Sequence, residues 1–361
     1  MKLIAAMSGG VDSAVAAARA RESGHDVIGV HLALSKNPKN YRSGARGCCT
    51  IEDSHDARRA ADLIGIPFYI WDMSDEFHEN VVENFLSEYA SGRTPNPCLR
   101  CNEKIKFAAV LDRAKAMGFD GVVTGHYAIT KESDSGKLLY RAKDPLKDQS
   151  YVLAVLNREQ IKGAFFPLGD TTKDDVRKEA AARGLTVANK PDSHDICFVP
   201  SGDNAGWLRD RLGSEVGPIV DESGEKLGEH KGAYTYTVGQ RRGLGITTPT
   251  QSGEPRYVLR IEPKSNTVVV GERESLAISR ISGEHVIWCG PRVGNEHKKG
   301  FVQVRAHGEP HPCTYCAIES GKGTSLIAEL GQPIFGLATG QAMVIYDGDR
   351  VVASATIAGT S

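Results

Sequence analysis

A short apolar segment, Lys2 to Met7, runs directly into Ser8-Gly9-Gly10-Val11-Asp12-Ser13, and the chain then becomes amphipathic. The apolar segment is too short to span a membrane and reads as a strand. Val11, Ala14, Val15 and Ala18 follow at the i, i+3, i+4, i+7 spacing of a helix that buries one face. A glycine pair at such a junction lets the backbone come close to an anion. The Ser8 and Ser13 hydroxyls, with the free N–H groups of the helix start, then point at phosphate oxygens. A Walker A loop would need G-x-x-x-x-G-K-[ST], and no lysine stands here. The plainer reading makes the glycines a tight turn and Asp12 a helix cap.

The chain has 361 residues, room for two or three domains. Its 40% hydrophobic and 25% charged content describes an ordinary soluble protein. There is no run of about 18 apolar residues and no signal-peptide pattern, so we expect a cytoplasmic protein with no membrane association. A net charge of −1 gives no global support for nucleic-acid binding, so any RNA footprint must be a local patch. Eight cysteines without a secretory signal suggest reactive or metal-binding thiols rather than a disulfide framework.

Strand-like stretches at Asp26–Leu34, Ile66–Met73 and Asp120–Ala128 join the opening strand. Helical faces lie between them. Ala57, Ala60, Ala61 and Ile64 form one, behind a Thr50-to-Asp53 capping box. Val82, Phe85, Leu86 and Tyr89 form another, and Phe107, Val110, Leu111 and Ala114 a third, stopped at Gly118. This alternation predicts a parallel, doubly wound α/β sheet with its ligand crevice beyond the strands' carboxyl ends. Ser8, His31-Leu32 and Gly125-His126 should meet there. After a helix from Trp207 to Leu212, Gly217-Pro218 is expected to break the pattern. Short alternating segments then run to the C-terminus, at Ala233–Val238, Tyr257–Ile261, Thr267–Val270, Phe301–Ala306 and Ala342–Tyr346. They read as antiparallel sheet or a small barrel. The expected domains are a catalytic domain over residues 1–200, a central β-rich domain over 201–275 and a C-terminal β-barrel over 276–361.

Thr94-Pro95-Asn96-Pro97-Cys98-Leu99-Arg100-Cys101-Asn102 precedes a helix expected from about Glu103. Cys101 then sits close to a helix N-terminus, with Arg100, Lys104 and Lys106 adding positive charge, a setting that favours the thiolate. Two other readings stand beside it: a zinc site pairing Cys98-x-x-Cys101 with Cys313-x-x-Cys316, or a buried inert cysteine. Cys197 follows the turn-forming Asn189-Lys190-Pro191-Asp192-Ser193-His194-Asp195 and is flanked by Ile196 and Phe198, which suggests a short strand after an exposed loop. Taken alone it is a core cysteine. Paired with Cys101 and an activating loop, it could carry sulfur that a second thiol releases. Cys48-Cys49 suggest packing or redox sensing, and Cys289, Cys313 and Cys316 fall among strands as core positions.

The pattern S-G-G-x-D-S resembles the pyrophosphate loop of ATP pyrophosphatases, which activate a carbonyl-type oxygen as its adenylate. That resemblance implies that Asp12 helps hold Mg²⁺ on the leaving phosphates. Further segments extend the likeness over nearly the whole chain: Gly47-Cys48-Cys49, Thr94-Pro95-Asn96-Pro97 with Cys101-Asn102, Thr124-Gly125-His126-Tyr127-Ala128, Lys147-Asp148-Gln149-Ser150-Tyr151 and Ile196-Cys197-Phe198. Tyr236-Thr237-Val238-Gly239-Gln240-Arg241-Arg242-Gly243-Leu244 and Gly340-Gln341-Ala342 complete the set. Together they resemble the bacterial tRNA-specific 2-thiouridylase family (MnmA type), within the PP-loop ATP pyrophosphatase superfamily.

The resemblance implies a sulfurtransferase that adenylates the C2 oxygen of the wobble uridine and then transfers sulfur from a cysteine persulfide. Its products would be 2-thiouridine, AMP and pyrophosphate. Ala6, Met7, Ser8, Gly9, Gly10, Val11, Asp12 and Ser13 would bind ATP, with Leu32 and Gly125 framing adenine and ribose. Cys101 would be the nucleophile or resolving thiol and Cys197 the persulfide carrier, joined by a transient disulfide. Asn96, Pro97 and Cys98 would lie beside the target base. His126, Lys147, Asp148, Gln149, Arg305, Ala306 and Gln341 would contact tRNA. Partners would be tRNA for lysine, glutamate and glutamine, and a persulfide donor, either a cysteine desulfurase or a relay protein. Apart from Mg²⁺ carried with ATP, no metal site or stably bound cofactor is expected. Two positions depart from the family pattern. Some members have aspartate at Cys98, so proton transfer here falls to another group or to the Cys98 thiol. Members often have a larger polar residue at Ala306, which leaves only a backbone contact. Other pyrophosphatase chemistry, such as amide or argininosuccinate formation, would share the first loop without needing paired thiols. A non-catalytic nucleotide-dependent RNA-binding protein is a further reading.

Overall fold

The computed structural model describes residues 1–35, 51–191, 196–199, 202–246, 253–321 and 323–361. The Gly47-Cys48-Cys49 motif, the Thr50 end of the expected capping box and positions 192–195 before Cys197 lie outside them. The strands of the first half are β1 (Lys2–Ala6), β2 (Asp26–Ala33), β3 (Phe68–Asp72), β4 (Gly121–Val123), β5 (Ile129–Lys131), β6 (Leu138–Tyr140) and β7 (Ala164–Phe165). The expected parallel sheet is present in the order β3-β2-β1-β4-β7. β7 is two residues long and has no alternation to announce it in the sequence. The expected Asp120–Ala128 strand is confined to β4, because the chain must turn at Gly125. A Cβ there would lie 2.5 Å from the Ser13 nitrogen.

The helices are α1 (Val11–Glu22), α2 (Ile51–Ile64), α3 (Ser74–Phe77), α4 (Glu83–Ala90), α5 (Pro97–Cys101), α6 (Val110–Ala116), α7 (Ser150–Leu153), α8 (Arg158–Lys162), α9 (Lys173–Ala182) and α10 (Asn204–Leu212). Widened π-helical stretches, His78–Val82 and Asn102–Ala109, join α3 to α4 and α5 to α6. The helix expected from Glu103 therefore begins six residues earlier, at Pro97. Asn96 caps it by accepting from the Cys98 and Leu99 N–H groups, and Pro97 fits the first turn because that position needs no donor.

In the central part, β8 (Gly217–Val220), β9 (Lys226–His230), β10 (Tyr257–Glu262) and β11 (Thr267–Gly271) form a sheet ordered β10-β11-β8-β9. Gly217-Pro218 opens a strand as well as ending the helical region. The stretch Ala233–Val238 is not a strand. Its backbone closes a 3₁₀ turn, with Thr235 N donating to Gly232 O and Tyr236 N to Ala233 O.

The C-terminal part comprises β12 (Ala277–Trp288), β13 (Lys298–Gln303), β14 (His311–Ser320), β15 (Gly323–Phe335), β16 (Ala342–Asp347) and β17 (Arg350–Thr360). These pair antiparallel in the order β12-β15-β14-β13-β16-β17, and β12 also pairs with β17, closing a six-stranded barrel. Closure removes the free sheet edges. The β5–β6 hairpin of the first half joins β17 from outside.

That hairpin marks a close seam between the parallel-sheet part and the barrel. Leu99, Phe107, Tyr151 and Leu153 share one buried cluster with Cys289, Val344, Tyr346 and Val351. Polar groups inside it are matched. The Tyr151 hydroxyl donates to Ala342 O at 2.8 Å, and Ser354 Oγ donates to Ala154 O at 2.7 Å. Gly340 permits a close backbone approach at this seam, at φ +86°, where a Cβ would lie 2.8 Å from Arg93 Cβ and 3.0 Å from Thr94 N. Gly340→Ala should therefore cost more than the roughly 1–3 kcal/mol of backbone strain alone. Gly348→Ala provides the control, with φ +58° and open space around it. Scanning calorimetry should show the larger loss of melting temperature for Gly340→Ala, and equal losses would contradict the contact argument.

Candidate active site

The opening loop is held by contacts that require glycine. At Gly9 (φ +79°) a Cβ would fall 2.2 Å from the Asp53 carbonyl oxygen, so the start of α2 lies directly against the loop. Gly125 presses on the loop from the other side, at the Ser13 nitrogen. Ser13 Oγ accepts from Ser8 N at 3.2 Å and donates to Gly10 O at 3.0 Å, curling the loop around the N-terminus of α1. Behind it, the buried His31 ring faces Met7 O at 2.9 Å. A carbonyl can only accept, so Nδ1 carries the proton. The result is a ring of backbone donors at a helix N-terminus, suited to a chain of phosphates.

Two lysines that the sequence reading did not single out border this cradle. Lys173, the first residue of α9, is buried, and its ammonium lies 2.7 and 2.6 Å from the two Asp12 carboxylate oxygens. The Tyr127 hydroxyl donates to the same carboxylate at 2.7 Å. α9 lies parallel to α1, which puts both N-termini at the cradle. Arg19 with Glu179 and Arg183 with Glu22 bind the two helices further along. Lys190 bridges Gly9 O at 3.0 Å, Asp53 at 2.6 Å and Asp56 at 2.7 Å. The Thr172-x-x-Asp175 cap signals the start of α9, but nothing in the sequence pairs Lys173 with a residue 161 positions away. Asp12 is about one-third exposed and fits a role as metal-facing carboxylate, with Lys173 as its present counter-charge.

The cradle opens into a cavity of about 710 Å³. Ala6, Met7, Ser8, Gly10, Val11, Asp12, Ser13, Leu32 and Gly125 line it around the opening loop, and Asn96, Pro97, Cys98, Cys101 and Cys197 line it as well. His126, Lys147, Asp148, Gln149 and Ala306 also border it. Three of the expected residues do not. Gly9 faces α2, Arg305 donates to Gly336 O at 2.8 Å, and Gln341 O accepts from Ile357 N.

Cys98 and Cys101 lie on α5, with Cys98 exposed and Cys101 buried. Because α5 begins at Pro97, Cys98 occupies the first turn, where the helix dipole acts, and Cys101 lies beyond it. Cys197 is in a turn rather than on a strand. The turn is fastened by its neighbour Phe198, whose ring packs edge-on against Phe77 and Phe85 and tilted against Trp207. Asn102 forms part of the wall. Its Nδ2 donates to Val152 O at 2.9 Å, while Oδ1 is buried without a partner among the described residues. Asp148 is turned inward. It accepts from Arg141, Ala142 N and Ser150, so it orders its loop, and the neighbouring Gln149 Oε1 is likewise bound, accepting from Tyr127 N at 2.9 Å. His126 is bonded to Thr124 Oγ1 at 2.8 Å. Desolvation first, then the Lys106 charge, hold its pKa well below the ordinary 6.5 and keep the ring neutral.

The remaining described cysteines are part of the core. Burial pushes the Cys289 and Cys313 thiols up to about 12. Cys313 and Cys316 are three apart on β14 and so face opposite sides of the sheet, which does not make a metal-binding pair. The described residues contain no cluster of three or more groups able to hold a metal. No helix among them is long and apolar enough to cross a membrane.

The fold is that of a HUP-type parallel α/β domain followed by β-rich domains. Family models match as a tRNA methyl transferase HUP domain over residues 1–201, a tRNA methyl transferase PRC-barrel domain over 205–272 and an aminomethyltransferase beta-barrel domain over 279–357. A tRNA-specific 2-thiouridylase MnmA from Nocardioides sp. is 61% identical, covering 100% of this chain and 98% of that protein. One from Thermobifida fusca is 62% identical, covering 100% and 96%. A 4-thiouridine synthetase solved with RNA and ATP is 15% identical at a TM-score of 0.34, covering 55% of this chain and 45% of its own, too remote to inform the site. The chain belongs to the tRNA-specific 2-thiouridylase MnmA family.

Two measurements examine this geometry. Lys173→Met leaves Asp12 without its cation and should cost about 2 kcal/mol, less than a fully buried pair because Asp12 is partly exposed. Adding Asp12→Asn should recover that stability in chemical denaturation, and a single variant as stable as the parent would contradict the pairing. His126 gives a second test. Its proton is bound near pH 6.5 only when the chain is unfolded, so its contribution to stability is lost as pH falls through that value. The denaturation midpoint of His126→Gln should decline less from pH 7 to pH 5 than that of the parent protein.

Proposed function

We propose that the protein is a tRNA-uridine 2-sulfurtransferase that adenylates the C2 oxygen of the wobble uridine and replaces it with sulfur from a persulfide on Cys197. One observation carries the reading. Cys101 and Cys197, 96 residues apart, border the same cavity as the phosphate cradle. Full-length identity to named 2-thiouridylases supports the reaction class.

The target base must leave the anticodon stack to enter a cavity this deep. Lys147 and the Gln149 amide nitrogen, both on the cavity wall, are suited to hold the strand, and Asn96, Pro97 and Cys98 to flank the base. The uridine C2 oxygen attacks the α-phosphorus of ATP. The bond to pyrophosphate breaks, and the N3 proton is given up. Ser8, Ser13 and the N–H groups of α1 stabilise the departing pyrophosphate, with Lys173 and Lys190 nearby. Mg²⁺, when bound with ATP beside Asp12, supplies further charge neutralisation. The outer sulfur on Cys197 then adds to C2, and the Cys101 thiolate attacks the inner sulfur. The S–S bond breaks, its outer sulfur stays on carbon, and AMP leaves with the former C2 oxygen. Cys101 and Cys197 are thereby oxidised to a disulfide, which a two-electron thiol reductant must reset. His126 stays neutral and acts as a hydrogen-bonding group rather than a charge. The tRNAs for lysine, glutamate and glutamine are the proposed substrates. The sulfur comes from a cysteine desulfurase or relay protein, and the setting is the cytoplasm.

The test is direct. Protein, ATP, Mg²⁺, unmodified tRNA for lysine, a cysteine desulfurase and cysteine should yield tRNA retarded in a mercury-containing gel. Cys197→Ser and Cys101→Ser should each reduce that product at least a hundredfold while leaving ATP binding intact. Normal thiolation by both variants would end this assignment.

A further inference from the structure

One motif singled out in the sequence takes no part in the cavity. It is Tyr236-Thr237-Val238-Gly239-Gln240-Arg241-Arg242-Gly243-Leu244. Its loop is built to be stiff. Gly239 N donates to Val258 O at 2.8 Å and Val258 N to Gln240 O at 2.9 Å, which fastens the loop to β10. Within it, the Gln240 side chain accepts from Thr237 N at 3.1 Å and donates to Arg242 O at 2.9 Å. Gly239 and Gly243 supply φ values of +86° and +77° that other residues adopt only at a cost. At the tip, Arg241 and Arg242 are exposed. Arg19, Arg141 and Arg183 are tied to carboxylates, but the Arg241 and Arg242 guanidiniums have no ion pair or hydrogen bond among the described residues.

The loop is also joined to the mouth of the cavity. A Cβ on Gly239 would lie 3.0 Å from Gly336 Cα, and Gly336 O accepts from Arg305 at 2.8 Å. Ala306 and His307, next along from Arg305, border the cavity. We propose that Arg241 and Arg242 form a phosphate-binding extension of the active site, gripping the backbone of the RNA whose base enters the cavity. This inference rests on the thiolation reading. Guanidinium forks match phosphate oxygens, and backbone contacts set the register of an RNA without reading its sequence. A loop already rigid loses little freedom on binding. A chain with net charge −1 must also concentrate its RNA contacts in local patches like this one.

The experiment measures the affinity of the full-length protein for unmodified tRNA for lysine between 50 and 200 mM KCl. In Arg241→Ala/Arg242→Ala, affinity should fall on the order of tenfold, and the slope of log affinity against log salt should become shallower by about 1.4–1.8, the equivalent of two phosphate contacts. Arg241→Lys/Arg242→Lys should keep most of the slope. ATP affinity and melting temperature report whether the fold is intact. An unchanged slope overturns the inference. So does a variant that binds tRNA normally but is slowed only when a desulfurase, rather than inorganic sulfide, provides sulfur, because the loop would then dock a protein. A parent protein that thiolates no tRNA would instead sink the underlying function, and the inference with it.

Discussion

Two of the protein's close backbone contacts hold the opening loop, and the candidate active site depends on both. Gly9 lies against the Asp53 carbonyl, and Gly125 against the Ser13 nitrogen. Neither contact leaves room for a Cβ. They clamp the opening loop between α2 and the end of β4, so the N–H groups proposed to meet phosphate are fixed in advance. Preorganised donors of this kind lose nothing to reorientation at the moment charge develops.

Around that clamp, charge is balanced through long-range pairs. Lys173 comes from α9 to neutralise Asp12, and Lys190 comes from the segment leading to Cys197 to join Gly9 with Asp53 and Asp56. Lys190 thus links the opening loop to the segment that carries Cys197. Phe198 anchors Cys197 in an aromatic cluster, and Asn96 caps the helix that carries Cys98 and Cys101. The barrel closes the third side, delivering Ala306 to the cavity while Tyr346 and Ser354 bond back to the α7 region. Residues up to Phe198 and the segment Ala306–His307 thus line one cavity.

The resemblance to 2-thiouridylases agrees with the family membership, and the order of strands and helices agrees with the parallel sheet. Some local readings differ. Ala233–Val238 alternates like a strand, but its hydrogen bonds are spent on a 3₁₀ turn and on the Arg241 loop. The helix carrying Cys101 starts earlier than the apolar period suggests, because a cap and a proline, not periodicity, set its first turn. The widened stretch at Asn102–Ala109 then shifts the phase of everything after it. The β7 strand and the β5–β6 hairpin are too short to register above their surroundings.

The sequence alone determined what is local: the glycines of the cradle, the alternation that builds a doubly wound sheet, the glycine-punctuated strands, and the thiols at Cys101 and Cys197. Those features depend on spacing, which a linear string records. Tertiary structure alone decided which distant groups meet. It brought Lys173 to Asp12 and Lys190 to Gly9, turned Asp148 inward, and kept Arg305 and Gln341 off the cavity wall. Such pairings follow from how helices and sheets pack in space, and no period or motif encodes the distance between residues 12 and 173.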